Sequence, residues 1–282
     1  MSKLSSGLKV LINSPAARPK TTPAPPRIDS LYHKVQQHAQ SKGLSQSSWL
    51  ALSTAATMTM NSPEALHSLF NVATAGAPEH KSVDTVEFMR EVGLKCISFN
   101  GIPRTINCLV DFKSNLPSSV TDRLSTTPTR GPDSQNIDGI SARGKDLWDS
   151  IYRPFESKLY RKLGDAHPDL PVHILHFNYG ALLSDPQRST GANVGRLATS
   201  IVAIACLRAQ TGVGPQVLSH VFGLRKAVED STWVHDVETE EAAKWLASDE
   251  GNTWILNSID DIVKAIGTGE GSNFAPARES KL

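Results

Sequence analysis

Residues 195–227 read GRLATSIVAIACLRAQTGVGPQVLSHVFGLRKA. The spacing of apolar residues predicts two helical segments, within "VGRLATSIVAIACLRAQ" and "PQVLSHVFGLRKAVE". Gly212, Gly214 and Pro215 stand between them, and those residues break helical continuity. The apolar run "TSIVAIACL" is about half the length of a bilayer-spanning helix, so no membrane insertion is expected.

Working outward, the same helical style extends over most of the chain, from "SLYHKVQQHAQSKG" to "TWILNSIDDIVKAIG", and alternating β-branched runs are scarce. The expected fold class is all-α. Five segments follow: a basic, proline-rich arm over 1–29, disordered or extended because its five prolines argue against a long helix, a first helical unit over 30–113, a Ser/Thr/Pro/Gly-rich linker or loop over 114–143, a second helical unit over 144–267, and a flexible tail over 268–282. Trp233, Trp245 and Trp254 are assigned to the core of the second unit. With 29 Lys plus Arg against 28 Asp plus Glu, charge gives no reason to expect a nucleic-acid partner. The three cysteines, Cys96, Cys108 and Cys206, lie far apart and read as buried thiols in a reducing compartment.

The two units echo each other. Setting "EVGLKCISFNGIPRTINCLVDF" (91–112) beside "EAAKWLASDEGNTWILNSIDDI" (241–262) places Glu91 on Glu241, Gly101 on Gly251, Asn107 on Asn257 and Asp111 on Asp261. The expectation is a duplication, two helical units in one chain facing each other.

The stretch 195–227, with "LHFNYGALLSDPQ" before it and "FNGIPRTINCL" in the first unit, resembles the carboxymuconolactone decarboxylase and alkylhydroperoxidase D-like superfamily. The full pattern with its Ser-Lys-Leu end is similar to fungal peroxisomal proteins carrying two such repeats. The resemblance implies an all-α, alkylhydroperoxidase D-like bundle that forms homo-oligomers. In the peroxidase branch a Cys-x-x-Cys-x-x-x-His motif supplies the thiolate. The matching positions here are Val213, Gln216 and His220, so both thiols are missing and thiol peroxidase chemistry is not expected. In the decarboxylase branch a glutamate stands one turn before the histidine; here it is Gln216, which can orient His220 but cannot carry a proton. Arg196 is a candidate clamp for a substrate carboxylate, with a structural role as its alternative. Glu64 and His67 share one helix face and form a possible second site, although Ser62-Pro63-Glu64 also reads as a helix start.

No cofactor or metal site is expected. The pair His173 and His176 lacks a third ligand cluster, and the glycine turns follow no strand. Ser280, Lys281 and Leu282 form the tripeptide read by the peroxisomal import receptor, which predicts the peroxisome matrix as location. The basic, acid-poor arm carries a weaker mitochondrial flavour. Two functional readings stand open: acid/base chemistry by His220 on a small carbonyl or carboxylate compound, or a non-catalytic protein that keeps the fold for binding or assembly. A divergent peroxide-reducing antioxidant is a further alternative.

Overall fold

The computed structural model describes residues 3–274, and every regular element among them is helical. The tripeptide Ser280 to Leu282 lies outside the described residues. After α1 (Ser6–Ile12) the first unit holds α2 (Ile28–Ser41), α3 (Gln46–Thr59), α4 (Pro63–Thr74), α5 (Glu79–Lys95), α6 (Ile97–Asn100), α7 (Ile102–Ser114) and α8 (Ser118–Thr121). The second holds α9 (Ile137–Tyr152), α10 (Glu156–Ala166), α11 (Asp169–His173), a π-helical segment (Ile174–Leu183), α12 (Arg196–Gln210), α13 (Gly214–Glu229), α14 (Glu240–Ala247) and α15 (Asp249–Ile266).

The centre is the pairing of α3 with α12. Both helices are largely apolar or small, and such helices belong inside a protein. Helix α3 buries every residue from Ser48 to Thr59, and α12 buries all but Arg208. Alanine, serine and threonine recur on both, which lets the backbones approach. Helix α15 rests on α3, while α5 and α6 rest on α12, so a single core runs from Ile28 to Ile266 through both units. Three pairs of helix starts in the two units lie within three residues of an offset of 150. Helix α3 begins at 46 and α12 at 196; α4 begins at 63 and α13 at 214; α7 spans 102–114 and α15 spans 249–266.

The loop joining α13 to α14 caps both central helices. Asp236 accepts the backbone N–H of Arg196 at 2.8 Å and of Leu197 at 2.6 Å, at the start of α12. Glu238 accepts Ser45 N–H at 2.9 Å and also takes the hydroxyls of Ser45 and Ser48, at the start of α3. These donors have no partner within their helices, and a carboxylate there also complements the helix dipole. Gly195 is required at this junction. Its φ is 86°, and a Cβ would stand 2.5 Å from Asp236 Oδ1.

A smaller core of Trp148, Ile151, Tyr179 and Leu183 forms where α9 lies along the π-helical segment. Gly144 and Gly180 make that approach possible, since a Cβ on Gly144 would come within 2.6 Å of Gly180 Cα. Of the three tryptophans assigned to the core, Trp254 is buried while Trp233 and Trp245 are half-buried, and the rings of Trp245 and Trp254 meet His38 of the first unit.

Two segments differ from the sequence reading. The arm is not wholly extended: residues 6–12 are helical with Ser5 as N-cap, and α1 buries none of its residues. Further along, the arm docks through Thr22, whose N–H reaches Asn61 O at 2.9 Å and whose hydroxyl reaches Met60 O at 2.8 Å. Asn273 donates to the same Thr22 hydroxyl at 2.7 Å and to Met60 O at 2.9 Å, and accepts from Arg104 at 3.0 Å. The stretch 114–143 contains α8 and the first residues of α9, which begins at Ile137. It is fastened to α5 by Ser125 on Glu87 and by Arg130 on Glu91.

Gly144→Ala should lower stability by about 1–3 kcal/mol through overpacking. Gly164→Ala on α10, whose added Cβ meets nothing closer than 3.8 Å, should hold or raise stability by up to about 1 kcal/mol. Thermal unfolding of the two variants checks the contrast.

Candidate functional site

His220 is the residue that the family resemblance marks, and α13 carries it inward. Its side chain is 5% exposed and lies edge-on to the rings of Phe99 at 6.1 Å and Tyr152 at 6.2 Å. Tyr152 and Tyr179 share a hydrogen bond between hydroxyls at 2.8 Å, and Trp148 lies against both. The Nδ1 atom of His220 has no hydrogen-bond partner among the described residues. Burial, with the charge of Arg196 adding to it, drives the imidazole down from 6.5 to about 3. His220 is therefore neutral across the physiological range and a weak base, whereas general acid/base catalysis works best with a pKa near the working pH.

Arg196 is buried beside it and heavily hydrogen-bonded. Its Nε donates to Ser150 Oγ at 2.8 Å, Nη1 to Ser200 Oγ at 2.6 Å, and Nη2 to Ser150 O at 3.1 Å and Gly223 O at 2.8 Å. Four of the five guanidinium N–H groups are thus taken by neutral acceptors on α9, α12 and α13. Burial lowers the guanidinium to about 10, so it stays charged at neutral pH. In this arrangement Arg196 ties three helices together. Gln216 lies exposed on the first turn of α13.

The first-unit pair does not come together. Glu64 is exposed and accepts Ala24 N–H of the arm at 3.0 Å. His67 turns toward α7, with Nε2 at 3.8 Å from Asp111 Oδ1 and its ring 5.3 Å from that of Phe112. His173 packs on Phe177 at 5.2 Å.

All three cysteines are buried and free. Cys206, four helical turns from His220 in a continuous-helix count, instead meets Cys96 of the first unit with sulfurs 3.5 Å apart. That contact has no local sequence signal, since the partners are 110 residues apart. Burial pushes the Cys96 thiol well above its ordinary range and the Cys108 thiol to about 12, and the thiolate is the reactive form.

Sequence reading also missed a buried ionic network between the units. Lys95, fully buried at the end of α5, pairs with Asp185 at 2.8 Å and donates to Thr199 Oγ1 at 3.0 Å and to Leu183 O. Burial lowers Lys95, against the pull of Asp185. Burial is the strongest single influence and would raise Asp185, but the charge and hydrogen bond of Lys95, together with the backbone N–H groups of Gly195 and Val194, hold the carboxyl low. Beside this pair Glu91 receives two arginines, Arg130 and Arg188.

Comparison with known proteins bears on location. The chain is 31% identical over 147 residues to Peroxisomal protein 2 of Schizosaccharomyces pombe, covering 52% of this chain and 63% of the relative. It is 29% identical over 177 residues to Peroxisomal protein 2 of Saccharomyces cerevisiae, covering 56% and 58%. This chain is peroxisomal. That agrees with the location expected from Ser280-Lys281-Leu282. The matched regions span about six-tenths of the length of these relatives. No family model matches the chain, and no solved structure matches it.

Because the unfolded imidazole takes up a proton near pH 6.5 and the folded one only near pH 3, His220 makes stability fall as pH drops through that window, by up to about 1.4 kcal/mol per pH unit. His220→Gln should flatten the stability curve between pH 4 and 6 by close to one proton. Coinciding slopes for wild type and variant would show an imidazole that titrates normally. For the thiols, a disulfide exchange reagent should modify none of the three in the native protein and all three after denaturation. A fast-reacting native thiol would contradict the burial.

Proposed function

We infer that this chain is a peroxisomal matrix protein built from two fused repeats of the alkylhydroperoxidase D-like kind, in which the catalytic position of that family has become a structural post. The reading is of a non-catalytic binding or assembly protein. The single observation that carries it is the saturation of Arg196: four neutral acceptors from three helices take its donors, which leaves no bidentate face for a substrate carboxylate. The sealed, neutral His220 beside it supports the same reading. The common register of α3 with α12 and of α4 with α13 supports the duplication. Assembly enters through the outer face of α13, where Leu218 and Phe222, one turn apart, are each more than half exposed.

A second reading, acid/base chemistry on a small carbonyl or carboxylate compound, draws on one observation, the buried Nδ1 of His220 that lacks a partner. A peroxide-reducing role draws on the contact between Cys96 and Cys206. Against it stands the depth of both thiols.

Arg196→Met should cost about 3 kcal/mol or more, because it strands the acceptors that the guanidinium serves. His220→Gln should leave turnover in a peroxisomal matrix extract unchanged. A His220→Gln protein that folds like wild type but no longer consumes a metabolite that wild type consumes would overturn the non-catalytic reading.

A further inference from the structure

The network at Glu91 is electrically incomplete. Arg188 is 8% exposed and Arg130 is 16% exposed, and both take their ion pair from the same carboxylate. Arg188 donates from Nη1 to Glu91 Oε2 at 3.1 Å and from Nη2 to Oε1 at 2.9 Å. Arg130 donates to the same two oxygens. Neither arginine finds an acceptor for its Nε–H. Behind them Lys95 and Asp185 neutralise each other, and at the rim Arg90 pairs with Glu87 at 3.1 Å. One positive charge in this partly sealed cluster therefore has no counter-ion among the described residues. Buried charge is costly unless it is paired.

The two arginines line a cleft of about 320 Å³ between α5 and the loops that carry Arg130 and Arg188. Its other walls include Leu94, Leu109 and Ala192, with hydroxyls from Thr129 and Thr190. The loops meet above it, where Ser125 Oγ and Thr190 Oγ1 are 3.1 Å apart. A guanidinium fork matches a carboxylate geometrically. The charge deficit of one calls for a monoanion, and the two glutamates on the same wall oppose a second negative charge. The aliphatic side chains suit a short apolar body.

We propose that this cleft is a binding site for a small aliphatic monocarboxylate, whose carboxylate is held by Arg188 and Arg130 and supplies the missing counter-charge. The site lies between α5 and the loops that carry Arg130 and Arg188, apart from His220, and does not depend on whether that residue is catalytic.

The test uses the full-length protein with acetate, butyrate and hexanoate as probes, and chloride and phosphate as controls, at constant ionic strength. Calorimetric titration and thermal shift are the readouts. Saturable binding of the carboxylates is expected, with hexanoate tighter than acetate and with chloride giving no saturation. Arg188→Gln should weaken butyrate at least tenfold. Should that variant fail to fold, Ala192→Leu tests the same site, because it fills the cleft and leaves every charged partner in place; it too should abolish the carboxylate response. Carboxylates that act on wild type no differently from chloride would overturn the proposal. So would phosphate binding more tightly than every carboxylate, or a full butyrate response in folded Ala192→Leu.

Discussion

Two helices buried on all sides impose the terms on which the rest of this protein folds. A helix with no solvent face cannot leave the N–H groups of its first turn to water, so something else must accept them. In α3 and α12 the acceptors come from one short loop, through Glu238 and Asp236. The requirement reaches into the backbone, since Gly195 is needed where Asp236 closes on the start of α12. The second unit is thus not merely packed on the first; its loop completes the first unit's central helix.

The same logic explains the surroundings of His220. The position faces a helix junction where α9, α12 and α13 meet, and a cation with many donors is an efficient way to hold three backbones in register. Arg196 does this with Ser150, Ser200 and Gly223, none of them charged. Once the cation is fixed there, its field works with burial against protonation of the neighbouring imidazole. An acid/base role and this clamp make opposing demands on the same volume of protein, and the geometry favours the clamp.

Helix existence was legible in the sequence because apolar spacing is a local property. The glycines and proline at 212–215 marked the break between α12 and α13. The choice of His220 and Arg196 as candidates followed from the family resemblance. What each of them touches did not, because Ser150 is 46 residues from Arg196 and Gly223 is 27. The network of Glu91, Lys95, Arg130, Asp185 and Arg188 was invisible for the same reason. Its members sit in three separate segments, and nothing in the spacing of any one of them announces the others. The loop over 114–143 was read as a connector from its composition, yet Arg130 within it anchors a buried carboxylate. The arm was misjudged in part because five prolines weigh against a long helix but not against the single short one at 6–12.

The side chain of Asn273 touches Thr22, Met60 and the guanidinium of Arg104 at once. Residues 22 and 273 therefore meet at a single knot beside the start of α7, and the described backbone traces a nearly closed ring. For such a ring the linear order of the helices is largely a matter of where translation starts. A short bridge across the knot and a new opening in an exposed connection would give a circularly permuted chain with the same core.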